Sequence, residues 1–202
     1  MLDKSLPSMP VLMIKKDVDV YPRFEFPEGY SAVGYRPGDE EEWAMMLCRL
    51  GWTDTLDAAK GIFQKEFAPY PDLLGKRCLF VRDNAGNLAA MASLWQGDCF
   101  GKILPRLHWV ACSPEAQGKG LAKALLTKLL DVYHELGLQG QIYLTSDTKS
   151  YKGINIYLKF GFEPCLLGEP SGVNAENYEA ESREAWGLIW EKLEAYRAGR
   201  GK

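Results

Sequence analysis

Apolar and polar residues alternate from Tyr30 to Arg36 with the two-residue period of a strand. Pro37-Gly38-Asp39 turns the chain, with Asp39 in the position of a helix cap. The period then lengthens. Trp43, Met46, Leu47 and Leu50 recur at helical spacing within Glu40–Leu50, and Ala58, Ile62, Phe63 and Phe67 do so within Thr55–Phe67. Two apolar strands, Arg77–Arg82 and Leu88–Gln96, flank the turn Asp83-Asn84-Ala85-Gly86-Asn87 as a hairpin, and Leu104–Cys112 is a further strand. A turn at Pro114–Gly118 opens a helix over Gly118–Leu136. Its apolar stripe is Leu121, Leu125, Leu129, Val132 and Leu136, with Lys123, Thr127 and Asp131 opposite and Gly137 closing it. Then follow a strand at Gln141–Thr145, a helix at Ser150–Phe160 and a last core strand at Gly161–Leu167.

This order is mixed α/β. Leu104–Cys112, Gly118–Leu136 and Gln141–Thr145 form a strand–helix–strand unit of the length that joins parallel neighbours by a right-handed crossover. Outside residues 30–166 lie two appendages. Residues 1–29 are punctuated by Pro7, Pro10, Pro22 and Pro27 and predict an extension with an edge strand around Val18–Phe26. Residues 167–202 predict a linker, then a helix over Glu176–Arg197 striped by Trp186, Ile189, Trp190 and Leu193. Packing on the chain's own core is the expectation for that stripe. A homodimer contact through this helix and a part in an acceptor pocket are the alternatives.

Composition narrows the classes. The 202 residues are 47% hydrophobic, too apolar for wholesale disorder, and the net charge of −3 gives no footprint for nucleic acid. The apolar runs are too short to span a bilayer, and Val11–Ile14 is too short for a signal-peptide core. A cytoplasmic protein with no membrane or nucleic-acid partner is expected. Cys48, Cys78, Cys99, Cys112 and Cys165 are scattered and odd in number, with no Cys-x-x-Cys, so neither a disulfide framework nor a metal site is expected.

The segment Gln117-Gly118-Lys119-Gly120-Leu121-Ala122 joins a strand to an amphipathic helix. The first turn of a helix has unpaired N–H groups in a positive potential, and small residues let an anion approach them. A phosphate or pyrophosphate is the ligand this favours, with Lys119 adding charge. A dinucleotide fingerprint would need a small residue where Lys123 stands, and the spacing of a Walker motif is absent. Glycines used only for turn geometry are the competing explanation.

The wider stretch decides between them. Gln117, Gly120 and Ala122, with Pro114 before them, resemble the acetyl-CoA-binding motif of the GNAT N-acetyltransferase superfamily. Tyr157-Leu158-Lys159-Phe160-Gly161-Phe162 resembles that family's second signature. The resemblance covers residues 30–166. It implies a mixed, mostly antiparallel central sheet with helices on both faces and two parallel strands splayed at the cofactor site, here Leu104–Cys112 and Gln141–Thr145. It further implies that Val110, Ala111 and Cys112 contact the acetyl and pantetheine groups through the main chain. Gln117, Gly118, Lys119, Gly120, Leu121 and Ala122 would hold the pyrophosphate, and Ser150, Gly153 and Tyr157 would line the other side. Acetyl-CoA is the implied co-substrate, and the reaction is direct transfer of its acetyl group to a primary amine. A small-molecule or peptide amine is the expected acceptor partner.

That reaction needs a donor to the thioester carbonyl, a base for the amine and an acid for the departing thiolate. By its motif position Tyr157 is the candidate acid, an ordinary core tyrosine being the alternative. His108 is the candidate base: two residues before Val110, regular strand geometry would put both on one face. A hydrogen-bonded structural histidine is the alternative there, and Asp98 and Glu163 are weaker candidates for the base. His134 is expected on the surface. Cys112 could be a nucleophile, but a buried structural thiol is favoured. Many family members carry Asn at the position of Ser150 and Ala at that of Gly153, and the shorter reach of serine puts cofactor contact there in question. Gly153 in a helix suggests close approach of a ligand or a neighbouring element. A non-catalytic acyl-CoA-binding or sensory module of the same fold is the alternative function.

Overall fold

A computed structural model describes residues 2–166 and 177–199. In chain order the elements are β1 (Pro10–Lys15), β2 (Tyr30–Gly34), α1 (Asp39–Arg49), α2 (Leu56–Glu66), α3 (Pro71–Arg77), β3 (Cys78–Asp83), β4 (Leu88–Cys99), β5 (Lys102–Cys112), α4 (Leu121–Glu135), β6 (Ile142–Asp147), α5 (Tyr151–Lys159), β7 (Glu163–Pro164) and α6 (Tyr178–Ala198). The strands form one mixed sheet in the order β2-β3-β4-β5-β6-β1-β7. β1 runs antiparallel to both β6 and β7, and β3 antiparallel to both β2 and β4. β5 and β6 are parallel, and their register is one pair, Arg106 opposite Tyr143. The mixed α/β fold with a parallel pair flanking the α4 crossover is the one the sequence predicts.

The chain divides into two compact units, one of residues 1–22, 96–106 and 139–202, the other of residues 23–95 and 107–138. In the first unit, β1 lies between β6 and β7, and Val11, Leu12, Met13, Ile14 and Lys15 are all buried. This corrects the expected edge strand at Val18–Phe26, where no strand forms. An unbroken apolar run marks a strand covered on both faces, a pattern carried by Val11–Ile14 and interrupted between Val18 and Phe26 by Asp19, Pro22 and Arg23. The expected strand Gly161–Leu167 shrinks to Glu163–Pro164, extended by a bond from the Cys165 N–H to the Leu12 carbonyl, and Leu167 lies outside the described residues. Helix α6 starts at Tyr178, the expected start at Glu176 lying outside the described residues. It packs on β1 and α5 of its own unit with Trp186, Ile189 and Leu193 buried, whereas Trp190 is 39% exposed. Arg197 near its end donates to the buried Asn155 side chain of α5 at 2.8 and 3.1 Å.

In the second unit the core is aromatic: Trp43 of α1, Phe63 and nearby Phe67 of α2, Phe80 of β3 and Trp95 of β4 pack together with Met46, Leu47 and Met91. Asp39 is the first helical residue of α1 rather than its cap. Gly38 stands at the cap with φ 103°, and the acidic run Asp39–Glu42 complements the positive end of the helix. Asp39 and Glu42 both hold Arg82 of β3. Thr55 caps α2 by accepting from the Ala58 N–H at 3.2 Å. Helix α3, which starts on Pro71, was not legible as a separate helix, because seven residues are too few to show a period. The β4–β5 hairpin is longer than its apolar pattern suggests. It closes on Phe100 and Gly101, both at positive φ (59° and 69°) as a two-residue hairpin turn requires.

Helix α4 begins three residues later than expected, at Leu121, and Gly137 closes it: its N–H bonds to the His134 carbonyl and that of Leu138 to the Tyr133 carbonyl. Its polar stripe is not simply solvated. Thr127 is buried, accepts from the Phe24 N–H at 3.1 Å and donates to the Lys123 carbonyl. Asp131 pairs with Arg23 at 2.9 Å, and the Lys123 ammonium sits 5.0 Å from the Phe24 ring centroid. The segment before β2 thus follows that stripe. No helix among the described residues is long and apolar enough to cross a membrane.

Candidate functional site

The connection from β5 to α4 is fixed at several points. The Ser113 N–H donates to the Ala89 carbonyl of β4 at 2.8 Å. A 3-10 turn, Pro114–Ala116, follows, and both Glu115 carboxylate oxygens accept from Arg49 of α1 at 2.7 Å. The Gln117 side-chain amide donates back to the Cys112 carbonyl at 3.3 Å. Gly118 and Gly120 then stand at φ 82° and 88° on either side of Lys119. A Cβ at either would meet nothing within 4 Å, so conformation, not crowding, demands glycine there.

Gly120 is the cap residue of α4 and offers no side-chain acceptor. Among the described residues no protein group accepts from the N–H of Gly118, Lys119, Gly120 or Leu121. Gly118, Lys119 and Gly120 are exposed, at the positive end of a 15-residue helix. Unpaired donors in that potential attract an anion. The Lys119 ammonium is held by the Tyr30 hydroxyl of β2 at 2.7 Å. Leu121 is buried, and Ala122 is half-buried and directs its N–H toward the Cys112 sulfur.

Ala111 is buried in the aromatic core, while Val110 and Cys112 are half-buried. Burial pushes the Cys112 thiol up to about 11, so it is protonated at neutral pH and a poor nucleophile. Trp109 is in the left-handed region at φ 50°, a conformation unusual for so bulky a residue. Its indole N–H donates to Glu66 Oε2 at 2.8 Å, and His108 Nε2 lies 2.7 Å from the same oxygen. Consecutive side chains of a regular strand point to opposite faces. Here two neighbours reach one atom, so the alternation is interrupted as at a bulge. Regular alternation, the premise for placing His108 and Val110 on one face, is therefore interrupted between them. Glu66, at the end of α2, carries no spacing signal that ties it to His108. Only the fold brings the two together.

The remaining expected site residues belong to the first unit. Ser150 precedes α5, half-buried, and makes no cap bond with its side chain. A Cβ on Gly153 would meet nothing within 4 Å, so no neighbouring element crowds it. Tyr157 is half-buried, its ring 6.1 Å from that of Phe162 in an edge-on arrangement. Asp98 and Glu163 are exposed, as is His134 in the second unit. Among the described residues no three His, Cys, Asp or Glu side chains group as metal ligands.

A profile of the acetyltransferase (GNAT) family matches residues 41–162. The fold is shared with solved structures. A GCN5-related N-acetyltransferase from Sphaerobacter thermophilus superposes with TM-score 0.59 at 22% identity, over 78% of this chain and 49% of its own. An acetyltransferase of the GNAT family from Colwellia psychrerythraea gives 0.59 at 11% identity, over 79% and 53%. A GCN5-related N-acetyltransferase from Kribbella flavida gives 0.50 at 21%, over 78% and 55%. The chain spans about half the length of these proteins. No curated protein matches it. The chain belongs to the GNAT acetyltransferase family.

Proposed function

We infer that the protein is an acetyl-CoA-dependent N-acetyltransferase acting on a primary amine. The observation that carries this reading is the loop Gln117–Ala122, with unpaired N–H groups on Gly118, Lys119, Gly120 and Leu121 at the start of α4. Those donors suit the pyrophosphate of a CoA ester, and the two positive-φ glycines keep side chains away from it.

Acetyl-CoA supplies an activated thioester. The amine, having lost its ammonium proton to water, bonds through its nitrogen lone pair to the acetyl carbon; the carbon–sulfur bond breaks, the nitrogen releases a second proton to water, and the sulfur leaves with the electron pair as a thiolate. Tyr157 is assigned as the proton donor to that thiolate, on its place in the Tyr-x-x-x-Gly-Phe signature. Val110 and Cys112 are assigned main-chain contacts to the acyl arm. The high thiol pKa of Cys112 argues for direct transfer over an acetyl-cysteine intermediate.

The test is a panel of amines assayed for free CoA release with acetyl-CoA and longer acyl-CoA esters. Release of one CoA per N-acetyl amine formed supports the reading. Binding of acetyl-CoA without release for any amine supports a non-catalytic binding module instead.

A further inference from the structure

The second unit also holds a cluster that the transfer chemistry above does not use. Glu66 Oε2 accepts from the Trp109 indole at 2.8 Å and lies 2.7 Å from His108 Nε2, yet 34% of the Glu66 side chain is exposed. The rings of Trp52 and Trp109 stand 6.0 Å apart at 37°, and the Trp109 ring is 5.0 Å from the imidazole. Trp52, Trp109 and Glu66 are each partly open to solvent.

We propose that Glu66, Trp52 and Trp109 bind the acceptor as an ammonium cation, with His108 fixing the carboxylate. The proposal rests on the acetyltransferase reading and names the acceptor class: a cationic primary amine carrying an apolar or aromatic group next to the nitrogen. Recognition at this cluster is electrostatic. A primary amine is protonated near neutral pH, with a pKa of about 10 like that of lysine. An indole face attracts a cation, most strongly where water is partly excluded. The indole N–H bond orients the carboxylate without cancelling its charge. The positive φ of Trp109 is the strained feature that brings its indole and the imidazole to one oxygen. A carboxylate at the edge of the Trp109 indole selects a cation over a neutral amide or an acid, and the two indole rings add apolar contact for what the nitrogen carries.

The test uses the full chain with 2-phenylethylammonium, its N-acetyl amide and 3-phenylpropanoate as probes, read by the indole N–H signals of Trp52 and Trp109 in NMR titrations. The ammonium should shift both signals saturably, while the amide and the acid should not. Glu66→Gln should weaken the ammonium response at least about tenfold, about 1.4 kcal/mol at the conversion of one decade, and Trp52→Leu should weaken it as well. Equal responses to the ammonium and the amide in the unaltered protein would overturn the proposal, as would an undiminished response in folded Glu66→Gln. A parallel acetyl-CoA titration separates the two ideas. Acetyl-CoA binding without ammonium selectivity overturns this proposal alone, and ammonium selectivity without acetyl-CoA binding overturns the acetyltransferase reading and, with it, the acceptor role of this cation site.

Discussion

A Cβ built on Gly34 would stand 2.2 Å from the carbonyl oxygen of Gly75. Strand β2 and helix α3 therefore meet backbone to backbone. The contact cannot be relieved by moving a side chain, because the obstacle is the main chain. Gly34→Ala should destabilise the protein by about 3 kcal/mol, at the upper end of overpacking costs. The reverse partner is asymmetric: a Cβ on Gly75 would lie an ordinary 3.8 Å from the Tyr35 carbonyl oxygen. Gly75→Ala should be neutral or stabilising by up to about 1 kcal/mol, since alanine is the better helix former. Urea unfolding of the two variants checks the pair, and equal losses would refute this account of the contact.

Gly120 separates a cofactor effect from a packing effect. Its φ of 88° would strain an alanine, while open space surrounds its Cα. Gly120→Ala should cost about 1–2 kcal/mol of stability. It should cost acetyl-CoA affinity as well, because relief of the strain turns the loop donors out of place. Thermal unfolding and calorimetric titration read the two losses separately. A stability loss with affinity unchanged would remove this loop from the cofactor site.

Tyr157→Phe keeps the ring against Phe162 and deletes only the hydroxyl. General-acid roles contribute about 10²–10⁴-fold, so turnover should fall by at least about 10²-fold with acetyl-CoA binding nearly unchanged. Unchanged turnover would remove Tyr157 from the mechanism.

Tyr35 and Glu40 give a stability prediction with a definite pH sign. The Tyr35 hydroxyl donates to Glu40 Oε2 at 2.7 Å and, as the largest cause, holds the Glu40 carboxyl below its usual range. A carboxylate whose folded pKa is depressed stabilises the fold above the ordinary glutamate value of about 4.3 and loses that contribution as pH falls through the depressed one. Much of the pair is in water, which screens it, so Tyr35→Phe should cost about 1 kcal/mol at pH 7. The difference between the two proteins should shrink below about pH 4. Denaturant unfolding across that range checks it, and a gap that widens in acid would contradict the assignment.

The helices α1, α2 and α4 and the β3–β4 hairpin were legible because each is amphipathic over a full period, and the loop at Gln117–Ala122 because its glycines fall at a strand-to-helix junction. Other features left no such trace. β1 has the unbroken apolar run of a covered strand, which is too short to declare its partners. α3 has too few residues for a period. The polar stripe of α4 was legible but its partners were not, because Thr127 and Asp131 carry no sign that Phe24 and Arg23 will bond to them. At the candidate site, the alternation rule failed where Trp109 takes a positive φ, a backbone state that its residue type gives no reason to expect. The meeting of Glu66 with His108 is tertiary and has no local signature.

Free CoA release from acetyl-CoA across a panel of primary amines reads acetyl transfer itself. The account predicts release that depends on the amine, with one N-acetyl product per CoA, and a strong preference for cationic amines over neutral ones. Acetyl-CoA bound but never consumed, whatever the amine, would contradict it.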